Sequence, residues 1–223
     1  MTSTDSTGTL QQRVEFTAAG VELYGRLAVP ETAGGIVVFA QSGGSGRDCM
    51  RNGCVEALMN DAGFATLLFD LLTPAEQADR ANMFAIEVLA ARLIDVTRWV
   101  GSRPDTAALP IGYLGAGTGA AAALVAADDP RLHVAAVVSR GGRPDLAAAQ
   151  LPTVTAAALL IVAERDAMVL RFNHAAREAM SAECRIEVIR HATHLFEEPG
   201  ALEQVAVLAR DWFISHLVLR CAI

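Results

Sequence analysis

The sequence contains little that would tie it to a membrane, a nucleic acid or a metal. Although 52% of its 223 residues are hydrophobic and its mean hydropathy is +0.34, no uninterrupted apolar run approaches the ~20 residues needed to cross a bilayer. The apolarity instead predicts a sheet buried on both faces. Neither a basic stripe nor a Lys/Arg cluster appears, and the formal net charge is -7. Nucleic acid and membrane are therefore not expected as partners, and a small neutral or organic ligand is. The four cysteines, Cys49, Cys54, Cys184 and Cys221, are scattered without C-x-x-C pairing. That spacing predicts reduced thiols, with neither a zinc site nor a disulfide framework, and no metal or organic cofactor is implied. Residues 1–9 lack the basic start and apolar middle of a secretory leader. They are expected to form a frayed tail, and a cytoplasmic location follows by default.

The rest of the chain, residues 10–223, reads as one domain. Leu10 to Phe16 and Val21 to Val29 flank the turn-like Ala18-Ala19-Gly20 and predict an antiparallel hairpin. Ile36 to Gln41 is a continuous apolar run suited to a central parallel strand, and it empties into a glycine-rich loop from Ser42 to Gly46. A helix from about Asn52 to Ala62 and a strand from Ala65 to Asp70 follow. Thr73 to Asn82 reads as a loop or short irregular helix. Ile86, Leu89, Leu93, Val96 and Val100 then set one buried helical stripe. Further strands are expected at Val134 to Ser139, Leu159 to Ala163 and Arg185 to Arg190, with a last helix from Ala201 to His216. This alternation predicts about eight strands, mostly parallel, with helices on both faces. About twenty residues separate Ser139 from Leu159, which leaves no room for a large lid.

The stretch with most chemical meaning is Ile111 to Ala127, IGYLGAGTGAAAALVAA. A buried strand turns through a glycine cluster straight into an alanine-rich helix. In α/β hydrolases such a turn is G-x-S-x-G, with the serine as nucleophile. Here the frame is Gly115-Ala116-Gly117-Thr118-Gly119, so the tip carries no side chain. Downstream come Ile161 to Asp166 (IVAERD) after one strand and His191 to Phe196 (HATHLF) after the last. Nucleophile, acid, histidine is the α/β-hydrolase order.

With VVFAQSGGSGR, ATLLFDLLTP, VVSRGGRPDLA and ATHLFEEPGALE added, the chain from about Arg13 to Leu217 resembles the small dienelactone-hydrolase-like α/β hydrolases. The resemblance implies Asp166 as triad acid, His194 as triad base and Gly117 in the nucleophile's place. It also implies a histidine-glycine pair after the first parallel strand, where this chain has Gln41-Ser42-Gly43. His191 is the competing histidine and reads as a surface residue. Glu164 could replace Asp166 as acid; the bland alternative to the pair is His194 as a loop residue and Asp166 as a cap for the helix from Ala167 onward.

A carboxylate that holds one imidazole nitrogen leaves the other basic and aimed at a substrate. Glycine tolerates the strained turn, but no hydroxyl remains to form an acyl-enzyme. The expected activity is therefore general-base chemistry on a small carbonyl compound, an ester, a lactone or a polyketide-like molecule. The reaction could be hydrolysis or a lyase or cyclase step. The amides of Gly43 and Thr118 are expected to stabilise an oxyanion, and Gln41, Ser42 and Asp70 to line the pocket. The alternatives are an ordinary serine esterase or lactonase inactivated by a serine-to-glycine change at 117, a nucleophile moved to Thr118, Ser42 or Cys49, and a silent small-molecule-binding protein. Arg47, Arg51, Asn52, Ser139, Arg140 and Arg143 lie near the strand ends, and the arginines read chiefly as structural partners of acids such as Asp145. The apolar end LVLRCAI leaves a homodimer open.

Overall fold

The computed structural model describes residues 2–4, 9–43 and 50–217. Three antiparallel strands come first, β1 (Thr2–Thr4), β2 (Leu10–Ala18) and β3 (Val21–Val29). Of the expected frayed tail, residues 1 and 5–8 lie outside the described residues, and Thr2–Thr4 pair with the edge of β2. The hairpin turn is tighter than expected. Ala18 already pairs with Val21, and Ala19 and Gly20 both take positive φ, 45° and 79°, as a two-residue hairpin turn requires. Asp95 Oδ2 accepts the Ala19 N–H at 2.9 Å and holds the strained alanine in place.

Alternation then follows: β4 (Ile36–Gln41), α1 (Met50–Asp61), β5 (Ala65–Asp70), α2 (Pro74–Gln77), a 3₁₀ turn (Arg80–Phe84), α3 (Ile86–Ser102), β6 (Ile111–Ala116) and α4 (Thr118–Ala127). The chain continues through β7 (Val134–Arg140), a 3₁₀ turn (Pro144–Ala147), β8 (Ala157–Ala163), α5 (Ala167–Ala179), β9 (Cys184–Ile189) and α6 (Ala201–Leu217). The sheet order among the described residues is β1-β2-β3-β5-β4-β6-β7-β8-β9. All eight strands expected from the sequence are present, and β1 makes a ninth. From β5 onward across the sheet the neighbours are parallel. This is the α/β-hydrolase arrangement, with no large lid inserted among the described residues. The loop residues 44–46, with Arg47 and Cys49, and the end 218–223, with Cys221, lie outside the described residues.

Two cores clamp the sheet. Ile36, Val38 and Ala40 face Leu89, Leu93, Val96 and Val100 of α3 and the alanines of α4. Val37 and Phe39 face Val55 and Met59 of α1 and Val205, Ala209 and Phe213 of α6. Each fully buried Leu, Val or Phe is stabilising by roughly 1.5–3 kcal/mol. No helix among the described residues is long and apolar enough to cross a membrane.

The three glycines of the turn have different physical reasons. A Cβ on Gly115 would sit 2.5 Å from Ala120 Cα, and a Cβ on Gly119 would run into the carbonyl of Ala40. Gly117 has open space around it but takes φ +55°, where other residues are strained. Gly119→Ala should therefore lower Tm by roughly 5 °C or more through overpacking. Gly53→Ala, in α1 with nothing within 4 Å of its Cβ position, should raise it by about 2–4 °C. Thermal unfolding of the two variants checks this, and equal shifts would contradict it.

Candidate active site

The sheet order reverses between β4 and β6, because the chain leaves β4 toward β5 on one side and returns to β6 on the other. In such sheets ligands bind beyond the carboxyl ends at this point. Gly117 stands there. Its carbonyl accepts the Arg143 N–H at 3.0 Å, which ties the loop after β7 to the turn. Two residues earlier, a Cβ on Gly141 would lie 3.6 Å from His194 Cε1. The Gly141–Arg143 loop therefore links the glycine turn to the histidine.

His194 and Asp166 are brought together as expected. His194 Nδ1 and Asp166 Oδ2 are 2.7 Å apart, while Asp166 Oδ1 accepts the Val169 N–H at 3.1 Å. Asp166 is thus helix cap and histidine partner at once, one oxygen for each. With Asp166 ionised, Nδ1 carries the proton and donates it, leaving Nε2 with its lone pair. The Asp166 side chain is 18% exposed and the His194 ring 53%, so the imidazole faces outward and the carboxylate is the more shielded partner.

The loop carrying His194 is fixed by further bonds. Arg165 N–H donates to Ala192 O at 3.0 Å, and Thr193 N–H donates to Glu198 Oε1 at 3.0 Å. That backbone donor holds the Glu198 carboxyl below the usual range. Glu164 does not replace Asp166, because its Oε2 accepts the His191 N–H at 2.6 Å. His191 is exposed, with φ 62°. Sequence patterns gave no signal for Glu198 or Gly141, since each acts through contacts closed only by the fold.

On the other side of the turn, Ser42 Oγ and Thr118 Oγ1 are 2.6 Å apart and buried. The pair ties the end of β4 to the start of α4, and each hydroxyl already has the other as partner. The Thr118 N–H, first in α4, is one of the helix's leading amides, which have no acceptor inside the helix. Gly43 has Met83 as its neighbour, whose Sδ lies 2.6 Å from where a Cβ would be. Gln41 and Asp70 pair across β4 and β5. Arg143 joins Asp145 in a two-pronged ion pair at 2.7 and 2.8 Å, and Arg140 Nη2 donates to the buried Asn52 Oδ1 at 3.1 Å. Burial pushes the Cys184 thiol up to about 11, so it is an inert thiol at neutral pH. Among the described residues no group of three or more His, Cys, Asp or Glu could hold a metal ion.

The profile of the Dienelactone hydrolase family matches residues 23–212. The chain belongs to that family. A crystal structure of dienelactone hydrolase from Anabaena variabilis ATCC 29413 has TM-score 0.88 and 47% identity, covering 93% of this chain and 98% of that one. Est1E from Butyrivibrio proteoclasticus has TM-score 0.76 at 14% identity, with coverage of 91% and 98%, a likeness of fold. A Mycobacterium tuberculosis (strain ATCC 25618 / H37Rv) protein named "Putative phosphoribosyl transferase Rv0571c" is 59% identical over 206 residues, which are 92% of this chain and 46% of that protein. The chain spans about half the length of the curated relatives it matches.

Met83 is held over Gly43 by a strap between β5 and α3. Thr73 and Glu76 cap α2 reciprocally, and Asn82 Nδ2 donates to Glu76 O at 2.8 Å. Both Glu76 oxygens accept from Arg92, which is 3% exposed and also donates to Leu71 O. Arg92, with help from Thr73, holds the Glu76 carboxyl down at about 2 against an ordinary 4.5, and partial burial opposes the shift. A depressed carboxyl stabilises the fold above its ordinary value and loses that contribution as pH falls toward 2. Glu76→Gln should therefore lower Tm by about 2–5 °C at pH 7. Its difference from the unchanged protein should close between pH 4.5 and 2, as followed by thermal melts. A gap constant across that range would contradict the ion pair.

Proposed function

We propose that this protein is an enzyme acting on a small carbonyl compound, an ester, a lactone or a polyketide-like molecule, by general-base catalysis without a covalent intermediate. The observation that carries this reading is the 2.7 Å His194–Asp166 bond, kept intact beside a turn whose tip, Gly117, has no side chain. His194 Nε2 takes a proton from water, and the oxygen so activated attacks the carbonyl carbon. The negative charge that develops on the carbonyl oxygen falls to the amides of Gly43 and Thr118. The imidazolium then returns the proton to the leaving oxygen as the tetrahedral centre collapses. A proton on carbon beside the carbonyl is open to the same base, which would give lyase or cyclase chemistry instead. Gln41, Ser42 and Asp70 belong to the pocket in this reading, with the Ser42–Thr118 bond setting the spacing of the two amides. No cofactor enters the scheme. The curated relatives are about twice as long as this chain, and we assign the phosphoribosyl transfer in their name to the part that this chain does not match.

A second reading has one observation in its favour. A Cβ on Gly117 would meet nothing within 4 Å, so the turn has room for a serine. In that reading the site is an ordinary serine esterase or lactonase that lacks its nucleophile, and it turns over nothing as it stands.

Steady-state assays on a panel of lactones and p-nitrophenyl esters separate the two. The proposal predicts turnover of at least one compound by the unchanged protein, reduced about 10²–10⁴-fold in His194→Ala. Turnover unaffected by that change would overturn it. An unchanged protein inactive on the whole panel, with Gly117→Ser giving ester hydrolysis and an acyl-enzyme burst, would replace it with the second reading.

A further inference from the structure

The carboxyl end of β4 carries a buried donor that the fold leaves unmet. Gln41 is 7% exposed, and its Nε2 is buried with no hydrogen-bond partner among the described residues. Several buried polar groups around it are paired, Ser42 with Thr118 and Tyr113 with Thr97, whereas the buried Ser139 Oγ at the end of β7 shares with Gln41 Nε2 the lack of a partner among the described residues. A buried amide donor without an acceptor is destabilising, so its persistence calls for a reason.

Packing supplies none. Gln41 ends the row Val37, Phe39 on the face covered by α1 and α6, where an apolar side chain of the same length would continue the core. Its main chain is fixed, because the Gln41 carbonyl accepts the Leu71 N–H at 2.8 Å. Its place in the sheet is the reversal point: it pairs with Asp70 on β5, and its neighbour Ala40 pairs with Gly115 on β6, two residues before Gly117.

We propose that Gln41 is a substrate-binding residue whose Nε2–H donates to an oxygen of the substrate's carbonyl-bearing group. An amide N–H adds no charge, unlike a guanidinium, so it suits the neutral oxygen of a lactone or ester rather than a carboxylate. This inference rests on the carbonyl-compound reading above and narrows it to neutral substrates.

The test uses ε-caprolactam, a cyclic carbonyl compound that mimics a lactone and resists hydrolysis. The Gln41 side-chain NH₂ and the His194 ring signals are followed by NMR in the unchanged protein during titration, and Gln41→Met is then compared by thermal melts and by the same titration. The expected result is that both signals shift along one saturation curve. Gln41→Met should also raise Tm by about 2–6 °C and weaken caprolactam binding about 10-fold. A His194 shift without a Gln41 shift overturns this inference and leaves the reading of the site standing. A Gln41 shift without a His194 shift puts the ligand away from the base and overturns it as well. Silence of both signals overturns inference and reading together. A lower Tm for Gln41→Met makes the residue structural and also overturns the proposal.

Discussion

The site depends on how closely α4 approaches the sheet. Gly119 lets the helix backbone lie against the Ala40 carbonyl of β4, and Gly115 lets β6 pass under the first turn of α4. With those two contacts made, the residue between them has little freedom, and Gly117 is driven to φ +55° at the tip. Its carbonyl then anchors the Arg143 amide, and Gly141 in the same loop lies against His194. Loosening the glycine contact would shift the turn, the bridging loop and the histidine together.

The second constraint is how the carboxylate of Asp166 is shared. One oxygen caps α5 and the other holds His194, so the helix start that positions the acid also positions the base. A helix cap alone needs no histidine, and a surface histidine alone needs no carboxylate partner. The acid end is held by two hydrogen bonds and the imidazole end is open to solvent, the asymmetry that the proposed base role requires. On the β4 side of the turn stand the Ser42–Thr118 pair and Gly43 with Met83 beside it. There the chain departs from the histidine-glycine pair that the family resemblance implied.

Much of this was legible in the sequence because burial on both faces leaves continuous apolar runs. Ile36 to Gln41 and Ala65 to Asp70 are strands with the expected bounds, and the α3 stripe at Leu89, Leu93, Val96 and Val100 is buried as its spacing required. Asp166 and His194 could be named because motif order places them at successive strand ends. The short β1 strand was not legible, since a polar Thr-Ser-Thr segment pairs only where a neighbouring edge is open. Met83 over Gly43, Glu198 on Thr193 and the unmet amide of Gln41 were hidden for a related reason. Each depends on two loops meeting in space, and no periodicity records such a meeting.

The central claim is that Asp166 fixes the His194 tautomer so that Nε2 is the free base. Nitrogen-15 NMR of the His194 ring, at a pH where the imidazole is neutral, reads this directly. The account predicts a protonated Nδ1 and an unprotonated Nε2, with the preference lost in Asp166→Ala. A neutral ring carrying its proton on Nε2, or a tautomer indifferent to Asp166→Ala, would contradict it.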